Sequence, residues 1–126
     1  MSDNSKKIEE MSELGPYAAL EHIFEAAQDL LCILGDKGRF VKTSASWTKE
    51  LGWTEAELCA KDWNDFIHPD DLQSTKDIYA YALAGNDVQN FKNRYVCKDG
   101  SYKTLVWQAP GFQGTQVFSI AKIEMT

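Results

Sequence analysis

Between Ser46 and Asp71 the chain reads SWTKELGWTEAELCAKDWNDFIHPDD, which sets His68 among Asp65, Asp70 and Asp71 and gathers Trp47, Trp53 and Trp63 around them. An imidazole oriented by a carboxylate is a minimal acid/base pair, and His68 with Asp65 has that composition. His68, Asp70 and Asp71 could also ligate a divalent cation. Helix-start chemistry explains the same residues more simply: Pro69 suits a first helical position, and acids in a first turn gain roughly 0.3–1 kcal/mol each from the helix dipole. The sequence carries no Gly-rich phosphate loop, nucleophile elbow or HExxH. The expectation is a non-enzyme with no metal site.

The elements around these residues follow from their punctuation. Ser44 or Ser46 would cap a helix running through Leu51, which Gly52 would end in the left-handed conformation. Thr54 and Glu57 fit a capping box for a second short helix, and Asp62 and Asp65 repeat the spacing for a third. Pro69 opens a longer helix, predicted over 69–84 and closed by Gly85-Asn86. Upstream, Ile8, Met11 and Leu14 recur at helical spacing before Gly15-Pro16 breaks the run. Tyr17, Leu20, Ile23, Phe24 and Ala27 then mark an amphipathic helix over about 17–28, which would pack either on its own domain or on a second copy.

Strand signals flank the helices. LLCIL, a turn at Gly35-Asp36-Lys37-Gly38 and RFVKT make a hairpin signature. In the last third, Phe91, Asn93, Tyr95 and Cys97 share one strand face, Leu105 and Trp107 another, and Val117, Ser119, Ala121 and Ile123 a third. Turns fall at Lys98-Asp99-Gly100-Ser101 and between Pro110 and Gly114. Arg94 is expected near the sheet's centre, paired structurally with an acid such as Asp65 or Asp99. An antiparallel sheet with helices gathered on one face is an α+β arrangement, and it leaves a concavity between the layers.

Composition narrows the partners. The chain has 126 residues, 44% apolar and 25% charged, which suits one folded domain. Thirteen Lys and Arg against nineteen Asp and Glu give a net charge of −6, unsuited to nucleic acid. The apolar runs are too short to cross a bilayer and the N-terminus lacks a secretory pattern, so the expectation is a cytoplasmic protein without a membrane partner. Cys32, Cys59 and Cys97 form no CxxC and no metal-finger spacing, and read as small buried thiols in a reducing compartment.

The runs DLLCILGDKGRFVKTSASWTKELGWTEAELCAKDWNDFIHPDD, RYVCKDGSYKTLVW and AKIEMT, in this order, resemble the PAS sensor domain of bacterial histidine kinases. The resemblance covers 29–126 and leaves 1–28 as a polar segment with amphipathic flanking helices. It implies a five-stranded antiparallel sheet in the order 2-1-5-4-3, with short helices and one longer helix on one face. It further implies a small ligand or cofactor in the concavity, a homodimer formed through the N-terminal helix and the outer sheet face, and a relay to an effector domain or partner kinase. An alternative is a ligand-free interaction domain that mediates homodimerisation. Thr43-Ser44 stand where the family often has Asn. Ile123-Glu124-Met125-Thr126 replaces the usual closing Asp-Ile-Thr, which fits either a sensor separated from its effector or a free-standing module.

The family's cofactors meet different obstacles here. Flavin members that form a cysteinyl adduct use an Asn-Cys pair, and Asp62-Trp63 holds that place, so thiol photochemistry is not expected. Non-covalent flavin stays compatible, because the four tryptophans could stack on an isoalloxazine. They are better read as core aromatics. Haem relatives ligate iron from a histidine on or near the long helix, whereas 70–84 contain none, so haem is not expected. Face alternation nominates Ile33, Trp47, Leu51, Trp63, Phe66, Ile78, Phe91, Tyr95 and Leu105 as ligand-binding residues.

Overall fold

The structure, a computed structural model, describes residues 16–35, 38–111 and 116–125. The helical turn anticipated around Ile8, Met11 and Leu14, and parts of two anticipated turns at 36–37 and 112–115, lie outside the described residues. Helix α1 (Pro16–Ala26) precedes β1 (Leu30–Gly35) and β2 (Phe40–Thr43). Helices α2 (Ser46–Leu51) and α3 (Glu55–Ala60), 3-10 turns at Trp63–Phe66 and Pro69–Asp71, and helix α4 (Leu72–Leu83) follow. Strands β3 (Val88–Val96), β4 (Tyr102–Ala109) and β5 (Gln116–Ile123) complete a five-stranded antiparallel sheet in the order β2-β1-β5-β4-β3, as the resemblance implied.

The short helices are set by local chemistry. Gly52 ends α2 at φ 92, and its N–H donates to the Thr48 carbonyl. Thr54 and Glu57 form a complete capping box at α3, each side chain accepting from the other's backbone N–H. Such a cap is worth about 1 kcal/mol. The anticipated serine cap of α2 is not formed: Ala45 occupies the cap position without a side-chain bond. Ser46 Oγ instead donates to the Asp29 carbonyl at 2.7 Å, and Ser44 Oγ accepts the Leu31 N–H at 2.9 Å, tying β1 to the start of α2. Asp62 likewise precedes its turn with no side-chain cap. The long helix opens as a 3-10 turn at Pro69, because His68 Nδ1 accepts the Asp70 N–H at 3.1 Å, and becomes α-helical only at Leu72.

Aromatic residues fill the space between the layers. Trp47 is fully buried, with its ring 5.2 Å from Phe40, 5.5 Å from Tyr95 and 6.0 Å from Trp107, and it donates Nε1–H to the Leu31 carbonyl at 2.9 Å. On the outer sheet face α1 contributes one buried anchor among its described side chains. Phe24, 2% exposed, meets Phe118 of β5 edge-on at 6.3 Å and lies under Lys42 Nζ. Leu20 and Ile23 of the same helix stay exposed, Ile23 at 54%. The apolar stripe of α1 therefore packs on its own sheet only in part.

Strand β3 departs from simple alternation. Val88 pairs with Ala109 and Phe91 with Trp107, with an irregularity between them, and Asn90 adopts φ 56. Residues three apart in a regular strand face opposite ways; the bulge turns Val88 and Phe91 to the same side. Asn tolerates this left-handed backbone better than most residues. Among the described residues no helix is long and apolar enough to cross a membrane.

Candidate functional site

The bulge, α4 and the inner sheet face line a partly open cavity of about 50 Å³. Thr75, Ile78, Tyr79 and Ala82 of α4 form one wall; Val88, Phe91, Asn93 and Tyr95 of β3, Trp107 and Ala109 of β4, Val117 and Ser119 of β5 and Leu34 of β1 form the other, with Trp63 at one side. The space exists because small side chains meet across the layers: Ala82 and Thr75 on the helix face Ala109 and Ser119 on the central strands. A larger hollow of about 190 Å³ lies between Gln28–Leu30, Glu50 and the end of the sheet near Lys122 and Met125, but Asp29, Glu50 and Lys122 give it a charged lining. The inner cavity is bounded by both layers and has no charged lining residue.

Three of its polar side chains form an ordered chain. Trp107 Nε1 donates to Asn93 Oδ1 at 2.6 Å, Asn93 Nδ2 donates to Thr75 Oγ1 at 3.2 Å, and Thr75 Oγ1 donates to the Asp71 carbonyl at 2.7 Å. The Asp71 carboxylate faces outward and grips Arg94: Oδ2 accepts from the Arg94 backbone N at 2.8 Å and from Nε at 2.9 Å, and Oδ1 accepts from Nη2 at 2.9 Å. The Arg94 guanidinium holds the Asp71 carboxyl below the usual carboxylate range. The expected partners of Arg94 are corrected accordingly. β3 is the edge strand rather than the centre, and the His68–Asp71 segment runs along it, with the His68 N–H donating to the Arg94 carbonyl at 2.9 Å; that brings Asp71, not Asp65 or Asp99, to Arg94.

Burial pushes the Tyr95 phenol well above its ordinary pKa, with Cys32 adding to the effect, so Tyr95 is a neutral hydroxyl at the cavity wall. Burial also pushes up the Cys32 thiol. Asp65 is exposed, and His68 Nδ1 is occupied by the Asp70 amide, so His68 serves the helix start.

Of the residues nominated from sequence, Trp63, Ile78, Phe91 and Tyr95 line the cavity. Trp47, Leu51, Phe66 and Leu105 are buried in the adjoining core without lining it. Ile33 stands on the other sheet face, opposite Phe118 and Lys42, because the inward positions of β1 are Cys32 and Leu34. Sequence reasoning did not nominate Thr75, Asn93 or Ser119, the polar lining positions on α4, β3 and β5. Their signal was present: each is a polar residue at an inward position of its element.

The walls bear on the cofactors as well. Pockets for drug-sized ligands run to roughly 300–1,000 Å³. The cavity measures about 50 Å³, and no histidine is among its lining residues.

Comparison with known proteins gives a consistent result. A domain of a sensory box sensor histidine kinase/response regulator from Geobacter sulfurreducens aligns over 84% of this chain and 92% of its own, at 19% identity and TM-score 0.71. The PAS domain of an HTR-like protein from Haloarcula marismortui aligns over 96% and 98%, at 20% identity and TM-score 0.70. A PAS domain from Desulfitobacterium hafniense aligns over 82% and 99%, at 20% identity and TM-score 0.69. No curated protein matches the chain. The family model of the PAS fold matches residues 40–118, well over half the sequence, and this chain belongs to the PAS family.

Proposed function

We propose that this chain is a sensory module that binds a small ligand in the cavity between α4 and the sheet and relays the change through homodimer contacts to an effector such as a histidine kinase. The observation that carries this reading is the polar chain Trp107–Asn93–Thr75–Asp71, which begins at the cavity wall and ends on Arg94 at the sheet edge. A ligand that competes for Thr75 or Asn93 changes the hydrogen bond holding Asp71, and so acts on the edge strand. Binding shifts only an equilibrium between states the ligand distinguishes, and this chain of bonds supplies a contact that differs between them. The exposed Leu20, Ile23 and Phe118 offer an apolar surface on α1 and the outer sheet face for a second copy.

A second reading, an interaction domain without a ligand, is favoured by the small size of the cavity. A thermal-shift panel of small neutral metabolites separates the two, run on the natural chain and on an Ala82→Leu variant whose added bulk fills the space. A sensor gains stability from its ligand by mass action, about 2.7 kcal/mol at a hundredfold excess over Kd, and Ala82→Leu abolishes the gain. A panel that produces no shift in the natural chain supports the interaction domain instead.

A further inference from the structure

We propose that the cavity selects a small, neutral carbonyl compound, whose oxygen accepts a hydrogen bond from the side-chain amide of Asn93. The inference rests on the preceding reading of the cavity as the ligand site, and names the ligand class and the contact through which it acts on Thr75.

The chemistry of the partners fixes where the protons of the polar chain lie. Trp107 Nε1 is a donor only, so the oxygen of the Asn93 amide faces it, at 2.6 Å, and the nitrogen faces Thr75. The Asp71 carbonyl is an acceptor only, so Thr75 Oγ1 commits its hydrogen there, at 2.7 Å, and accepts from Asn93. Asn93 Nδ2 carries a pair of hydrogens. One goes to Thr75; the other has no partner among the described residues, although Asn93 is only 3% exposed and lines the cavity. What the chain lacks is an acceptor. The Asn93–Thr75 bond, at 3.2 Å, is also the longest of the three, so an acceptor that draws the amide towards the cavity acts on the weakest link of the relay.

The rest of the lining agrees. Trp63 carries another donor in excess: its Nε1 is buried without a partner, beside Gly38 at the turn between β1 and β2. The Tyr95 and Ser119 hydroxyls can donate or accept, and so select neither. None of the lining residues carries a charge at neutral pH, so an ion would lose its hydration without gaining a counter-charge. By the measure in which one water needs roughly 10–15 Å³, about 50 Å³ holds three or four water-sized groups, the bulk of acetone. The walls next to Asn93 are apolar, with Phe91 the neighbouring inward position of β3 and Ile78 one turn beyond Thr75 on α4. A carbonyl oxygen on the amide, with its alkyl groups against Ile78 and Phe91, matches this division.

NMR titrations of the full chain test the proposal with three probes of one planar shape: acetone, isobutene and acetate. The expected result is saturable shifts of the Ile78, Val88 and Val117 methyls and of the Asn93 Nδ2 hydrogens with acetone, binding of isobutene about tenfold weaker, and no binding of acetate. Thr75→Val keeps the shape of the side chain but removes its acceptor, which leaves both Asn93 hydrogens to the ligand; it strengthens acetone about tenfold and leaves isobutene unchanged. Asn93→Leu removes the amide and cancels the advantage of acetone over isobutene, and Thr75→Val decides alone where Asn93→Leu does not fold. Isobutene or acetate binding as tightly as acetone, or acetone no tighter in Thr75→Val, overturns the carbonyl assignment while leaving the cavity as a ligand site. Failure of all three probes to move these methyls overturns the cavity reading itself.

Discussion

Asp71 closes on Arg94 with both carboxylate oxygens, one of them shared between the backbone N–H and Nε of the arginine. The pair joins the start of α4 to the exposed edge of the sheet, where β3 would otherwise present an unpaired N–H. Because the Asp71 carbonyl also accepts from Thr75, one residue connects the cavity wall to the sheet edge.

The pair makes stability depend on pH in a defined direction. The Asp71 pKa is lowered in the folded state, so its contribution is present above the ordinary carboxylate pKa and is lost as pH falls through the folded value. Asp71→Asn therefore lowers the melting temperature at pH 7, and the gap from the natural chain closes as pH falls below about 4. Melting curves across this range check it. A gap that stays constant to pH 2 contradicts the assignment.

Asn90 sets the bulge that turns both Val88 and Phe91 inward. A β-branched residue pays a steric penalty at φ 56, so Asn90→Val costs about 1–2 kcal/mol, whereas Asn90→Gly stays within about 0.5 kcal/mol. Denaturant unfolding distinguishes the two, and equal midpoints for the variants would show that the bulge does not need this backbone conformation.

The three thiols, all expected to be buried, differ in access, because Cys59 lies near the end of the short helix α3. Cys32 and Cys97 are buried; Cys59 is partly exposed, with its thiol pushed up first by burial and then by the Glu55 carboxylate. A thiol reagent under native conditions labels Cys59 slowly, at a rate that rises with pH, and labels Cys32 and Cys97 only on unfolding. Mass spectrometry of the labelled chain reads this directly; early modification of Cys32 would mean that the core opens without global unfolding.

Much of this arrangement was legible where the signal is local. Gly52 and the Thr54–Glu57 box act within one turn, and both appear as the sequence implies. Arg94 and Asp71 are 23 residues apart, and no local pattern selects Asp71 over Asp65 as the partner. The lining of the cavity was legible only in part, at Trp63, Ile78, Phe91 and Tyr95, for a different reason. Face alternation nominates large apolar side chains, yet Trp47, Leu51, Phe66 and Leu105 occupy space, while a cavity opens where Ala82, Ala109 and Ser119 leave it. Ile33 illustrates a strand apolar at every position: LLCIL has no period to reveal which residues face inward, because α1 and its Phe24 anchor cover part of the other face.

The proposed dimer has its own test. Ile23→Glu places a charge on the exposed apolar surface of α1 without touching the buried Phe24 anchor. The account expects the natural chain to sediment as two copies, and both Ile23→Glu and deletion of residues 1–28 to reduce it to one. Sedimentation of the natural chain as a single copy contradicts homodimerisation through this face.

Intermolecular nuclear Overhauser effects between the protein and a small neutral ligand drawn from the thermal-shift panel test the central claim most directly, because they locate the ligand. The account predicts contacts to the Ile78, Val88 and Val117 methyls together with a shift of the Arg94 Nε–H resonance. Contacts confined to Leu30 and Met125 in the larger hollow, with Arg94 unmoved, would contradict it.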